Sequence, residues 1–280
     1  MSEPALRALE ARYGDQLEVK FIMGGLVKNI FEFYDSYNDI GGDPENTNKQ
    51  VARHWLEASE RHGMPVETEG FRLFSTEDTS TYPQNIAYKA VQMESQELAD
   101  RFLRRMREAT AAEAMQTNRQ EVLIELASEV GVDLGQFLLH LEDGSAEAAF
   151  REDLAITRKY GVRGFPSFLI RYGEKEMLVR SFQDSATFES LIKSITGDAV
   201  KPQALAQTPE AVMQFVSHYG RVAPVELEVA FRFTRAEAEM IIDQLAAQKQ
   251  IKIKPVGNGF FLEPSSAPLS CDADSGVCSI

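Results

Sequence analysis

Apolar positions along the chain switch repeatedly between helical and alternating spacing. At the start, Ala5, Leu6 and Leu9 form one stripe, Pro4 suits a first turn, and Gly14 after Tyr13 suits a left-handed cap, so the chain opens on a helix. LEVKFIM then alternates, with Leu17, Val19, Phe21 and Met23 on one face, which predicts a buried strand. GGL leads into NDIGGDPENTNKQ, whose Gly, Asp, Asn and Pro content marks a loop. From about residue 49 to residue 160 nearly everything reads as helical. HWLEASERHG carries Trp55 and Ala58 and ends at Gly63, and PQNIAYKAVQM places Ile86, Ala87, Ala90 and Val91 on one face. Ser95 is the expected N-cap of a helix burying Leu98, Phe102 and Met106, and Asn118 with Glu121 resembles a capping box for the next helix, ending at Gly131. A short piece around Phe137 and Leu138 precedes AEAAFREDLAITRKYG.

Strand signals return in PSFLIRYGEKEMLVRSF, two runs about a Gly-Glu-Lys turn, hence a hairpin. DSATFESLIKSITG follows as a helix capped by Asp184 or Ser185 and closed by Gly197, and KPQALAQTP reads as a linker. Beyond it Thr208 and Pro209 open a helix with Val212, Phe215, Val216 and Tyr219 on one face, and APVELEVAFRF gives a second helix. A third starts at a Thr234–Glu237 capping box and places Ala238, Ile241, Ile242, Leu245 and Ala246 inward. IKIKPVGNGFFLE alternates and turns at Gly-Asn-Gly. Three helices and a two-stranded wing predict a winged-helix-like module over residues 208–263. Its six Lys/Arg against seven Asp/Glu, with Glu237, Glu239 and Asp243 on the third helix, repel phosphate, so protein binding or packing is expected there rather than DNA reading.

Composition narrows the class. The 280 residues, 44% hydrophobic, suffice for one core and a smaller second domain. A net charge of −14 argues against nucleic acid and anionic lipid as partners. No apolar run approaches the roughly 18 residues of a membrane span, and the start lacks a secretory signal, so no membrane association and a cytoplasmic location are expected. The only cysteines, Cys271 and Cys278, exclude a disulfide scaffold and a four-cysteine zinc site. His54, His62, His140 and His218 show no ligand spacing, so no metal and no cofactor are expected.

The sharpest local signal is GVRGFPSFLI, Gly161 to Ile170. A proline at the mouth of a buried strand removes a ladder hydrogen bond and belongs at a strand start or a special turn. With cis at about 5–6% of X-Pro bonds, an ordinary trans proline opening a strand is the default reading of that pattern. Together with EPALRALEARYGDQLEVKFIMGG and STYPQNIAYKAV with its following long helix, GVRGFPSFLI makes residues 3–197 resemble the DsbA/FrnE-like branch of the thioredoxin superfamily. The resemblance implies an α/β, thioredoxin-like fold over residues 1–200 with a large inserted helical domain at about 49–160, followed by the winged-helix-like module and a tail at 264–280. It implies a cis Pro166 whose loop, Gly164, Phe165 and Pro166, holds an extended substrate. It also implies a Cys-x-x-Cys just ahead of the Glu-Pro that Glu3 and Pro4 match, hence upstream of Met1, with no catalytic residue in this chain. The strand expected there is central to the sheet, and leaving its neighbours' ladder groups unpaired costs roughly 1–3 kcal/mol each. The expectation is therefore an internal Met1 in a longer protein, or a naturally shortened paralogue with another segment in the gap.

The tail SCDADSGVCSI holds Cys271 and Cys278 six residues apart, a spacing that permits either a closed, exchanging redox pair or a plain reduced tail. Flanking acids raise thiol pKa values and weaken a fast nucleophile. By resemblance, the first function expected is thiol–disulfide oxidoreductase or isomerase acting on protein substrates with disulfides, impaired without the Cys-x-x-Cys. The alternative is drawn from HYGRVAPVELEVAFRFTRAEAEMIIDQL and its wing, which resemble bacterial adaptors presenting the Spx regulator to the ClpXP protease. Such an adaptor needs binding surfaces rather than thiolates.

Overall fold

Helix α1 (Glu3–Tyr13) opens the chain as its apolar stripe requires, with Pro4 in its first turn. A computed structural model describes residues 2–265, and beyond them only the backbone of residues 270–271 and 278–279. After α1 come β1 (Tyr34–Asp35), β2 (Ile40–Gly41) and six helices: α2 (Pro44–His62), α3 (Tyr82–Glu94), α4 (Gln96–Ala112), α5 (Gln120–Glu129), α6 (Leu134–Glu142) and α7 (Ser145–Lys159). Then follow β3 (Ser167–Tyr172), β4 (Lys175–Arg180), α8 (Ser185–Thr196), α9 (Pro209–Tyr219), α10 (Pro224–Phe231), α11 (Arg235–Ala247), β5 (Ile251–Val256) and β6 (Gly259–Pro264). The last pair is β7 (Ser270–Cys271) with β8 (Cys278–Ser279). The described residues form two compact units: one holds those up to Val19, His62–Pro65 and those from Phe168 onward, the other Lys20–Arg61 and Val66–Ser167. Among the described residues no helix is long and apolar enough to cross a membrane.

The second of these units is helical. Tyr88, Phe102, Phe137 and Phe150 are fully buried where α3, α4, α6 and α7 meet, and Tyr82 packs edge-on to Phe150 at 5.0 Å. Ser95 caps α4 by accepting a hydrogen bond from the Leu98 N–H, as the sequence predicts. A smaller core gathers Val27, Ile30, Phe71, Leu73 and Phe74, with Phe33 and Trp55 against it.

Four expectations in this region change. Leu17–Met23 keeps its alternating exposure but forms no strand, because no strand lies beside it among the described residues to complete a ladder. The loop assigned to residues 38–50 ends early: α2 begins at Pro44, where the Asp43 carboxylate accepts the Asn46 N–H at 2.9 Å and the Asp43 carbonyl accepts the Thr47 N–H at 3.0 Å. Residues 63–81 are not helical, and there the chain is held by side chains instead. Asn48 Nδ2 donates to the Phe74 carbonyl at 2.8 Å, while its Oδ1 accepts the N–H groups of Leu73 and Phe74. Asn118 does not cap α5. Its Nδ2 donates to the carbonyls of Asp78 and Ser80, and α5 starts after Arg119 without a side-chain cap.

In the other unit, Ala5, Leu9 and Tyr13 of α1 pack on Phe188 and Ile192 of α8, with Phe168 and Ile170 of β3 against them. Gly14 ends α1 at φ +52 and ψ −136, positive in φ but outside the expected left-handed helical conformation. β3 and β4 form a two-stranded sheet. Asp184 caps α8 and Gly197 closes it in the left-handed conformation. Ala8 joins a further core with Val212, Val216, Leu227, Leu245 and Leu262, so α9, α10, α11 and the β5–β6 hairpin share it with α1. The Thr234–Glu237 capping box forms, and β5 pairs antiparallel with β6 from Ile251 opposite Pro264 to Val256 opposite Gly259.

Candidate functional site

The site is built from the end of α7 and the turn after Met23. Helix α7 ends with Arg158 and Lys159, and Gly161 at φ +61 turns the chain out of it. The Val162 N–H still donates to the Thr157 carbonyl at 2.9 Å, after which Arg163, Gly164 and Phe165 run exposed. The Phe165–Pro166 peptide is cis, and the Ser167 hydroxyl donates to the Gly164 carbonyl at 2.7 Å, which pins the loop at the first residue of β3.

Phe165 is 45% exposed, and the far edge of its ring touches Gly24. A β-carbon on Gly24 would lie 1.9 Å from Cζ of that ring. Gly25, at φ +59, is enclosed by Phe150, Leu154 and Tyr82. Buried and half-buried polar groups hold this turn in place. The Asp153 carboxylate accepts the Met23 N–H at 2.8 Å through one oxygen and pairs with Lys89 Nζ at 3.2 Å through the other. Asn85 Oδ1 accepts the Gly25 N–H at 3.2 Å, while its Nδ2 donates to the Thr81 carbonyl at 2.7 Å. Val27 continues the attachment: its N–H donates to Thr81 Oγ1 and its carbonyl accepts the Thr81 N–H.

Gly164, Phe165 and Pro166 therefore sit together in one exposed loop whose ring contact lies about 140 positions earlier in the sequence. Sequence reasoning missed Gly24, Asn85, Lys89 and Asp153. The Gly-Gly pair was the one available signal, because adjacent glycines mark a close backbone approach as readily as a loop. The other candidates, Cys271 and Cys278, are known only by backbone position, opposite each other in the β7–β8 pair, and their side chains lie outside the described residues. Among the described residues no cluster of three or more His, Cys, Asp or Glu is arranged to hold a metal ion. The loop presents an aromatic face and the backbone groups of an exposed turn.

The chain is similar to known proteins over most of its length. A family model described as thioredoxin matches residues 1–190. The ClpXP adapter protein SpxH of Halalkalibacterium halodurans is 25% identical over 264 residues, covering 92% of this chain and 82% of the relative. SpxH of Bacillus subtilis is 22% identical over 262 residues, again covering 92% and 82%. A solved structure described as a protein disulfide isomerase, from Nitrosomonas europaea, superposes with a TM-score of 0.58 at 16% identity, covering 71% of this chain and 91% of that one. The cytosolic disulfide reductase DsbM from Pseudomonas aeruginosa superposes with a TM-score of 0.50 at 20% identity, covering 70% and 88%. These superpositions carry the fold: a thioredoxin-like α/β body with a DsbA-type helical insertion.

Proposed function

Because the chain belongs to the thioredoxin family, we propose that it holds an extended segment of a partner protein at Gly164, Phe165 and Pro166 and acts as an adaptor, presenting a regulator such as Spx to the ClpXP protease in the cytoplasm. The observation that carries this reading is the half-exposed Phe165 ring seated on Gly24 at the mouth of β3. A half-exposed ring there gives an incoming segment an apolar anchor, and the exposed turn around it offers backbone groups for main-chain pairing. The reach of the SpxH similarity over 92% of the chain supports the same reading, since it takes in helices beyond residue 190. In this reading residues 208–263 are a winged-helix-like module for protein contacts.

The test is degradation of purified Spx by ClpXP with and without this protein. Acceleration of several-fold is expected, and an unchanged rate would remove the adaptor reading.

A second reading, thiol–disulfide oxidoreductase or isomerase, is supported by the fold likeness to the disulfide isomerase and the disulfide reductase. Its thiols in this chain would be Cys271 and Cys278, exchanging with a substrate disulfide held at the same loop. Insulin reduction that is lost in C271S/C278S supports it, and no reduction above the uncatalysed rate refutes it for these residues.

A further inference from the structure

Residues 29–45 are tied inward and decorated outward. Ile30 is fully buried, and Phe33 packs with it in the core that holds Phe71, Phe74 and Trp55. The Ile30 N–H donates to the Thr79 carbonyl at 2.8 Å, and the Gly41 N–H to Gln50 Oε1 at 3.0 Å. β1 and β2 pair across a tight turn, Tyr34 opposite Gly41, where a β-carbon on Gly41 would lie 2.3 Å from the Phe33 carbonyl oxygen. This anchoring fixes which side chains face water. Phe31 is 54% exposed, Tyr34 64% and Tyr37 92%. Single exposed apolar residues need no explanation, but three aromatic rings within seven residues, Phe31 in the turn before the hairpin and Tyr34 and Tyr37 on it, are the composition of an interface centre.

The charge on the same segment is one-sided. Between Asn29 and Asp43 stand Glu32, Asp35, Asp39 and Asp43, without one Lys or Arg, while the Glu45 that follows is paired with Lys49 at 2.7 Å. Tyr34 donates its hydroxyl to Asp39 at 2.8 Å, which sets ring and carboxylate side by side. Hydrogen bonds led by that from the Asn38 side chain hold Asp35 below the usual carboxylate range, so it is ionised at neutral pH. We infer that the segment carrying Phe31, Tyr34 and Tyr37 is a docking surface for a basic, arginine-bearing segment of a partner protein. Guanidinium groups stack on aromatic faces and pair with carboxylates, which are the two things this surface presents. Nucleic acid and anionic lipid are repelled by it, and a second copy of a chain with net charge −14 is the wrong sign overall. The inference rests on the adaptor reading for its biological setting, but the surface is testable alone.

Trp55, the sole tryptophan, packs behind the hairpin in the same core as Phe33 and Ile30, so its fluorescence reports occupancy. The probe is a 14-residue, tryptophan-free peptide with four arginines and two leucines, set against its counterpart with glutamate for arginine. The arginine peptide is expected to bind, more weakly as salt is raised from about 50 to 200 mM, and the glutamate peptide not at all. The triple variant F31A/Y34A/Y37A, altered only at exposed positions, is expected to keep its circular dichroism and Tm while losing about ten-fold in affinity, ~1.4 kcal/mol. Equal binding by wild type and triple variant, or no binding of the arginine peptide to wild type, overturns the proposal. The Spx degradation assay separates the two failures. If wild type does not accelerate degradation, the adaptor reading falls while the peptide titration still decides the surface. If wild type and triple variant accelerate it equally, the adaptor reading stands and the surface falls.

Discussion

The far edge of the Phe165 ring rests on Gly24, with room for hydrogen but not for a methyl group. Gly24→Ala must push the ring outward. Phe165 as a whole is 45% exposed, so the ring has solvent to move into and the stability cost is expected to stay below about 1 kcal/mol, while affinity for a bound partner segment falls about ten-fold. Gly25→Ala is the contrasting case. Its φ of +59 and a β-carbon 2.7 Å from Phe150 Cζ combine left-handed strain with overpacking of a core, for about 2–4 kcal/mol. Urea titration and isothermal titration with Spx distinguish them: loss of binding without loss of stability in the first variant, and loss of stability in the second.

Arg7 and Glu226 form an ion pair at 2.9 Å with almost no solvent exposure on either side. Glu226 also accepts the Ala223 N–H at 2.7 Å, and Arg7 donates to the Arg221 carbonyl at 2.9 Å with its guanidinium over the Tyr219 ring. Removing one charge leaves the other buried and uncompensated. Arg7→Met is expected to destabilise by about 3–5 kcal/mol, and R7M/E226Q by clearly less than R7M alone. A double-mutant cycle in guanidinium chloride checks this, and additive losses would refute the coupling.

Much of this architecture was legible in local signals, because local chemistry makes them. Ser95, Thr208 and the Thr234–Glu237 box each predicted a helix start, and each accepts the N–H it should. Asp43–Pro44 carried an equally good start signal but was submerged in a Gly- and Asn-rich stretch read as loop. The alternation of Leu17 to Met23 reported which side chains face inward but not a strand, since a strand needs a neighbour and periodicity is blind to neighbours. In the site, the GFPSF loop was visible as a motif. The Gly24 contact under Phe165, and the Asn85 and Asp153 side chains that hold the Gly24 turn, were not, because they join positions 60 to 140 residues apart.

Asn48 substitutes for a strand partner. Its amide makes three hydrogen bonds to the backbone of Leu73 and Phe74, where the chain has no helix to satisfy itself. Asn48→Ala orphans two N–H groups and a carbonyl in a buried place, at about 1–3 kcal/mol each before relaxation. The expected total is about 3 kcal/mol or more. Asn48→Asp retains the acceptor for both N–H groups and loses only the donor to Phe74, but it also buries a charge, so it should not rescue fully. Thermal unfolding followed by Trp55 fluorescence reads both variants, since Trp55 lies in the core that Phe74 helps to form.

Asp184 gives α8 a stability that depends on pH. Hydrogen bonds from the Thr187 side chain and backbone N–H, the latter 2.7 Å from Asp184 Oδ1, hold its carboxyl below the ordinary value. A carboxylate whose folded pKa is depressed binds its proton more readily in the unfolded chain, so its contribution is fully present above the unfolded value of about 3.9 and is lost as pH falls through the folded value. Asp184→Asn keeps a capping oxygen and removes the charge that faces the positive end of the helix. At pH 7 the variant is expected to be less stable by about 0.5–1 kcal/mol. Below pH 4 the difference should shrink towards zero as the wild-type carboxylate takes up its proton. Urea midpoints measured from pH 7 down to pH 2.5 test this, and a gap that stays constant over that range would mean that the cap works through its hydrogen bonds alone and not through its charge.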